Sequence, residues 1–234
     1  MLSRLLNTLE KTLLPHYCVL CHEKAEEQDL CPPCAAELPH IEQACPQCAM
    51  PLAGEITTSC GACQDNPPYY DRTIALFYYQ DPIIKMVSQF KFHDKLLYGK
   101  LFSTLLIDKI KAQQEALPDL LLPIPLHASR LRERGFNQAL ELARPLAKIF
   151  SLKLNYRDLL RTRATQQQSM IEKNDRASNV KNAFTLRQKI SAKHVGLIDD
   201  VMTTGHTLNE CAKVLKKQGV EKVTVFAVAR TSLK

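Results

Sequence analysis

In residues 1–14, Leu2, Leu5, Leu6, Leu9 and Leu13 recur at helical spacing, which predicts an amphipathic helix with one apolar stripe. Such a stripe ordinarily docks on its own protein; a partner protein or a membrane surface is the alternative. From residue 15 to residue 68 the periodicity disappears and Cys and Pro dominate, ending in the turn-forming run Asn66–Tyr70 (NPPYY). Short apolar runs then alternate with amphipathic stretches. Thr73–Tyr79 is β-branched and aromatic and predicts a strand. Asp81 and Pro82 suit an N-cap and a first helical residue, opening a helix that turns Ile84, Val87 and Phe90 inward. A second helix is expected over Leu96–Gln114. Asp119–Pro125 (DLLLPIP) reads as a buried parallel strand, followed by a basic loop and a helix over Asn137–Phe150. Tyr156–Arg163 is a further strand candidate, and Arg163–Lys181 is polar enough to predict a long loop or flap. His194–Asp199, His206–Gln218 and Lys222–Ala229 follow as strand, helix and strand. This alternation predicts βαβ units and a parallel sheet. The expected division is a cysteine-rich module over residues 1–68 and an α/β domain over residues 69–234.

A chain of 234 residues has room for one full domain and a small one. The small module buries too little apolar surface to stand without a staple. No apolar run approaches the roughly 20 residues that span a bilayer, so no transmembrane segment is expected. Asn7, Thr8, Glu10 and Lys11 interrupt the N-terminal leucines, unlike the continuous core of a secretory signal. The expected location is the cytoplasm, membrane-proximal if the first helix lies on lipid. The net charge is +7, yet Arg4, Lys11 and Lys24 are the only Lys or Arg in residues 1–70. The positive excess therefore belongs to the α/β domain, which makes phosphates or nucleic acid candidate partners.

Eight of the nine cysteines form four CxxC pairs: Cys18/Cys21, Cys31/Cys34, Cys45/Cys48 and Cys60/Cys63. In a reducing compartment such pairs point to metal rather than disulfides. Two CxxC turns complete a tetrahedral Cys₄ zinc site with no open position, so the role is structural. The simplest assignment places the first four on one zinc and the last four on another. A crossed arrangement, or a single zinc with one degenerate pair, stays open, and His16, His22 and His40 lie nearby as substitute ligands. Cys211 sits alone in a helical pattern and reads as core.

The run Val195–Thr207 (VGLIDDVMTTGHT) joins a buried strand ending in two acids, a Gly/Thr turn and an amphipathic helix. A helix N-terminus offers free N–H groups and a positive dipole end to a phosphate, and Gly205 lets the backbone approach closely. Thr203, Thr204 and Thr207 add hydroxyl donors. Asp199 and Asp200 lie where open α/β sheets bind ligands and can accept from ribose hydroxyls or help position Mg²⁺. The run resembles the phosphoribosyl-pyrophosphate (PRPP) signature of type I phosphoribosyltransferases. The resemblance implies a Rossmann-like fold in which Asp199 and Asp200 contact the ribose 2′ and 3′ hydroxyls, and Met202, Thr203, Thr204, Gly205, His206 and Thr207 wrap the 5′-phosphate.

Arg130, Arg132 and Arg134 crowd the loop after the DLLLPIP strand, where guanidinium forks suit pyrophosphate oxygens; Arg130 and Arg134 are the pyrophosphate candidates. Arg163, Thr165, Gln168 and Arg176 are candidates to close over a bound polyanion from the flap. The runs Arg134–Gln138 (RGFNQ), Thr165–Gln168 and Arg176–Val180 with Ala183–Phe184 resemble the ComF competence family, as do four CxxC pairs ahead of a PRPP loop. The likeness covers nearly the whole chain; Gln166 and Gln167 depart from the family pattern, where Pro is usual between the Thr and the Gln. What the resemblance implies is a double zinc ribbon ahead of a phosphoribosyltransferase-like domain, and a role in natural transformation through single-stranded DNA, alongside other competence or DNA-processing proteins. Tyr78, Tyr79, Phe90, Phe92 and Phe136 are candidate stacking platforms. The alternatives are a metabolic phosphoribosyltransferase that displaces pyrophosphate with a nitrogen nucleophile, and a PRPP sensor that signals through the zinc module. The motif alone does not establish turnover.

Overall fold

Apolar runs flanked by amphipathic helices assemble here into one all-parallel sheet. A computed structural model describes residues 16–25, 28–52, 58–92, 95–163 and 180–232. The helix expected over residues 1–14 and the flap residues Thr165, Gln168 and Arg176 lie outside the described residues. The sheet strands are β3 (Arg72–Tyr78), β4 (Leu120–Pro123), β5 (Lys153–Leu154), β8 (His194–Met202) and β9 (Lys222–Arg230), in the order β3-β9-β8-β4-β5. Every neighbouring pair is parallel. The chain passes from β4 outward to β5 and later returns to β8 on the other side of β4. The strand order therefore reverses between β4 and β8, and in open α/β sheets the ligand crevice lies at the carboxyl ends of such a pair.

The central strands are apolar on both faces, as a covered parallel sheet requires. One face packs α3 (Ile83–Phe92), α4 (Leu96–Gln113) and α6 (Gln138–Ile149). Phe90, Phe102, Leu106, Leu142 and Leu146 are almost fully buried there. Against the other face, Val195, Leu197, Val223, Val225 and Ala227 share a core with Leu208, Cys211, Ala212 and Leu215 of α7 (His206–Lys217). Cys211 is thus a core residue, as expected. An antiparallel pair, β6 (Leu159–Arg161) with β7 (Phe184–Leu186), joins that second core through Leu159 and Phe184.

Four expectations change. The basic loop after β4 is a short helix, α5 (Ala128–Arg134), because His127 caps its start by accepting from Ser129 N at 3.3 Å and Gly135 closes it at φ +80°. Tyr156–Arg163 yields only the short β6, which pairs outside the main sheet. Ile84 is not inward: Ile83, Met86, Val87 and Phe90 form the buried stripe of α3, and Ile84 is 40% exposed. Finally, β8 does not stop at Asp199 but runs to Met202, since Val201 and Met202 continue in register opposite Ala229 and Arg230.

Compactness divides the chain at Pro39/His40, earlier than the change of composition at residue 68. Unit 1 is residues 1–39 and holds the antiparallel pair β1 (His16–Tyr17) and β2 (Lys24–Ala25) with α1 (Pro32–Ala36). Unit 2 is residues 40–234, including α2 (Gly61–Asp65) and the last two CxxC pairs. The physical reason lies at β3, an edge of the sheet. An uncovered edge offers unpaired N–H and C=O groups. Here Ile41 N donates to Leu76 O at 2.9 Å, Thr73 N to Pro46 O at 3.1 Å and Thr73 Oγ1 to Gln47 O at 2.7 Å, while His40 bridges Phe77. Residues 40–47 thus cover the edge.

Gly196 makes the centre of the sheet sensitive to a single methyl group. A Cβ there would lie 2.7 Å from Leu121 Cδ2 and 2.9 Å from both Phe226 Cε2 and Pro118 Cγ. Gly196→Ala is therefore expected to destabilise the protein by about 1–3 kcal/mol, the usual range for overpacking a dense core, read from the urea midpoint at unchanged slope.

Candidate functional site

The pleat of β8 separates its two acids. Asp199 follows the parity of Val195 and Leu197 toward the α7 face; Asp200 follows Ile198 toward α3. Both line a cavity of about 510 Å³ at the reversal between β4 and β8. One wall is β8 and the turn after it, with Thr203, Gly205 and Thr207. The facing wall is Tyr79 and the residues Ile84, Ser88, Lys91 and Phe92 of α3. Arg130 and Arg134 of α5, Arg161 of β6 and Gln138 complete it.

The turn is shaped for close approach. Gly205 has φ +80° and caps α7. A Cβ on Gly205 would come within 2.9 Å of Met202 Cε and 3.0 Å of the Tyr70 hydroxyl, so glycine is required for conformation and for space. The free N–H groups of α7 open at this point. Thr204 Oγ1 is buried with no hydrogen-bond partner among the described residues, and so is Oγ1 of Thr231, a cavity residue. Buried hydroxyls in this state are unusual, and that of Thr231 borders the cavity. Of the turn residues expected to wrap a phosphate, Met202, Thr203, Gly205 and Thr207 line the cavity, while Thr204 and His206 lie in the turn without lining it.

Electrostatics divides the cavity. Asp200 is almost fully buried and ion-pairs with Lys91 Nζ at 2.7 Å. Burial, and after it the neighbouring Asp200 charge, pushes the Asp199 carboxyl well above its ordinary value, with Lys91 pulling the other way. Arg134 donates to Gln138 Oε1 at 2.6 Å and lies 5.0 Å over the Phe92 ring; burial holds its guanidinium below the usual range, while Asp200 acts in the opposite sense. Burial, and then the Arg130 charge, does the same to Arg161, which stacks 5.5 Å over Phe184. Cations that disfavour one another at close range, beside two acids, form a site that a ligand with several anionic groups relieves.

Lys91 and Arg161 were not among the residues expected from sequence. Lys91 sits in a helix whose sequence signal is its apolar stripe, and Arg161 in a strand candidate of weak periodicity. Arg163 is exposed and donates to Lys181 O at 3.0 Å. Among the stacking candidates, Tyr79 and Phe92 line the cavity, with Phe92 58% exposed, whereas Phe90 is core and packs against Phe136.

The cysteines resolve into two groups, Cys18, Cys21, Cys31 and Cys34, and Cys45, Cys48, Cys60 and Cys63, with the sulfurs of each group within 4.8 Å of one another. Tetrahedral zinc with bonds of about 2.3 Å requires sulfurs about 3.8 Å apart; Cys21–Cys31 at 3.6 Å and Cys48–Cys60 at 3.7 Å match. Although burial opposes it, N–H groups of Cys31, Cys21 and Leu20 bring the Cys18 thiol down to about 6. Those of Cys60, Cys48 and Gln47 likewise bring Cys45 down to about 7. One thiol of each group is thus held toward the thiolate that a metal needs, while the neighbouring Cys31 thiol pushes Cys34 up and burial pushes Cys48 and Cys63 up. The assignment is thus sequential, and both Cys₄ sites fit structural zinc. No helix among the described residues is long and apolar enough to cross a membrane.

Family models match in the same two places: a double zinc ribbon domain over residues 9–64 and a phosphoribosyl transferase domain over residues 137–232. The "DNA utilization protein YhgH" of Salmonella typhi is 32% identical over 224 residues, covering 93% of this chain and 98% of its own. "Competence protein F" of Haemophilus influenzae is 30% identical over 91% of this chain and 90% of its own. The chain belongs to the ComF family. A third ComF relative, "Competence protein ComFC" of Streptococcus pneumoniae, is 29% identical over 88% of this chain and 89% of its own. Among solved structures, a purine phosphoribosyltransferase from Pyrococcus horikoshii overlays 68% of this chain and 87% of its own at TM-score 0.33 and 15% identity, too loosely to carry weight.

The raised Asp199 carboxyl has a consequence for stability. A carboxyl raised in the folded state contributes stability that is complete below its ordinary value of 3.8. That contribution is lost as pH rises through the raised value. Asp199→Asn stays neutral throughout. Its melting temperature should match the parent in acid and exceed it by a margin that widens toward alkaline pH. A margin independent of pH would contradict this electrostatic account.

Proposed function

We propose that the ComF cavity binds PRPP with Mg²⁺. The observation that carries this reading is the division of one cavity into acids on β8 and cations on α3, α5 and β6, with the Gly205 turn between them. Carboxylates suit ribose hydroxyls and a metal ion; guanidinium groups and helix N–H groups suit phosphates. Asp199 and Asp200 are the residues proposed to receive ribose and to help hold Mg²⁺. Thr203, Thr204, Gly205 and Thr207 are proposed for the 5′-phosphate, with Met202 and His206 framing that turn. Arg130, Arg134 and the newly found Arg161 are proposed for pyrophosphate. Arg163, Thr165, Gln168 and Arg176 remain proposed as the closing flap. The buried hydroxyl of Thr231, a cavity residue, adds support, since a phosphate oxygen is an acceptor for it.

The wider role proposed is natural transformation, through single-stranded DNA that follows the basic surface around this cavity, in the cytoplasm and alongside other competence or DNA-processing proteins. The names of the relatives from Salmonella and Haemophilus, which refer to DNA utilization and competence, support it. So does Phe92, an exposed ring beside Arg134, because single strands are held by cations and stacking platforms together.

Titration calorimetry with PRPP and Mg²⁺ tests the binding. A hydrogen bond to a charged group contributes about 1.5–3 kcal/mol, so Asp199→Asn and Asp200→Asn are each expected to weaken binding roughly 10- to 100-fold. Equal affinity in parent and variants removes the acids from the site. Repeating the titration with single-stranded DNA across a salt series tests the second partner, whose affinity should fall steeply and log-linearly with salt. Pyrophosphate release only in the presence of a small nitrogen nucleophile would favour the metabolic transferase instead.

A further inference from the structure

The knuckle between Cys45 and Cys48 is bonded into the α/β unit at three consecutive carbonyls. Thr73 receives Pro46 O and Gln47 O through its N–H and hydroxyl, at 3.1 and 2.7 Å. The third, Cys48 O, accepts from Arg230 Nε at 2.9 Å. Arg230 ends β9, directly opposite Met202 in the sheet register, and only 2% of it is exposed. Its Nη1 donates to Met202 O at 3.3 Å, to Thr203 O, and to Thr231 O at 2.8 Å. One rigid guanidinium thus joins the carbonyl of a metal-ligand residue to the first two carbonyls of the phosphate turn. A second contact runs beside it. Tyr70 is buried, its carbonyl accepts from Gln47 Nε2 at 3.4 Å, and its hydroxyl lies 3.0 Å from the position a Gly205 Cβ would occupy.

We infer that zinc at Cys45, Cys48, Cys60 and Cys63 sets the shape of the phosphate turn through Arg230, which acts as a positioning residue. Metal and phosphoribosyl ligand then bind with positive coupling. This rests on the reading that the turn receives a phosphoribosyl ligand. The planar fork is what the role requires, because a lysine ammonium has one nitrogen and cannot serve the knuckle and the turn from opposite edges. Removing the metal frees the knuckle, leaves Cys48 O without a fixed direction, and loosens the guanidinium that orients Met202 and Thr203. Reciprocity follows from linkage: a ligand that holds the turn also holds the knuckle.

The test uses the full-length zinc-loaded protein and reads each cysteine separately by alkylation and mass spectrometry, with and without PRPP and Mg²⁺. Saturating PRPP is expected to slow alkylation of Cys45, Cys48, Cys60 and Cys63 roughly fivefold or more, the lower end of ordinary allosteric coupling, and to leave Cys18, Cys21, Cys31 and Cys34 unchanged. In Arg230→Lys, both zinc ions are expected to remain while the protection disappears. PRPP that binds by calorimetry without protecting the second cysteine set overturns the inference. So does equal protection of both sets, or protection that survives in Arg230→Lys. A second arm needs no ligand: partial chelation followed by amide hydrogen exchange. Faster exchange at Thr203–Thr207, with β8 and β9 still protected, supports the strut; unchanged exchange in the turn, or loss of protection throughout the sheet, overturns it. Absence of PRPP binding would count against the proposed function alone, because the exchange arm still decides the coupling.

Discussion

A charge can be buried at the carboxyl end of a parallel sheet only if its partners are fixed in advance, and much of this molecule is arranged around that constraint. An ionised group withdrawn from water without partners costs several kcal/mol, even after relaxation (about that order). Arg230 meets the requirement with backbone carbonyls from two directions. Asp200 meets it with one ammonium, Lys91, beside the N–H of the next residue, Val201. Carbonyls belong to the backbone and move only if the chain moves, whereas an ammonium on a four-carbon stem can swing away. The same physical demand therefore produces a rigid structural knot at Arg230 and an exchangeable ion pair at Asp200.

The two zinc ribbons look equivalent as sequence, yet they enter the architecture differently. Unit 1 carries its first knuckle on local bonds, with Cys18 N donating to Glu23 O at 2.8 Å and His22 N to Cys18 O at 2.9 Å. The second knuckle gives its outward carbonyls to β3 and Arg230. Metal binding supplies folding free energy where the local core is small. In the second ribbon that stabilisation extends to an exposed sheet edge and, through the same residues, to the turn at the cavity. This explains why compactness separates the chain at Pro39/His40 although composition changes only near residue 68.

Elements whose identity rests on local chemistry were legible in the sequence. The CxxC turns, the strand at Val195–Ile198, the Gly205 turn and the helix after it each carry their signal within a few residues. Ala128–Arg134 reads as a loop because its charge outweighs its helix propensity, and the His127 and Gly135 caps are modest signals. Lys91, Arg161 and Arg230 were not legible, for a common reason. Each is an ordinary cation at a helix or strand terminus, where solvent is the default environment. Their environment depends on what residues far along the chain place opposite them: Asp200 for Lys91, Phe184 for Arg161, Cys48 and Met202 for Arg230. Periodicity reports which face of an element is apolar, not which distant carbonyl awaits a charged neighbour.

The mixed sign of the cavity bears on what it selects. A uniformly basic cleft attracts any polyanion, and selectivity then comes from shape alone. Two acids at the end of β8 change this, because a bare phosphate approaching them meets the Asp200 carboxylate, already engaged by Lys91, and offers it nothing to accept. A ligand that presents hydroxyls or a divalent cation to the acids and phosphates to the arginines satisfies both walls. A simple phosphate chain satisfies one. The Lys91–Asp200 pair sharpens the discrimination, since a group that engages Asp200 must replace an ion pair already in place. Asp200 would hold a divalent cation only in exchange for Lys91, whose ammonium would then be available to the anionic part of the ligand. On the proposed reading, the arrangement favours ligands that arrive with their cation.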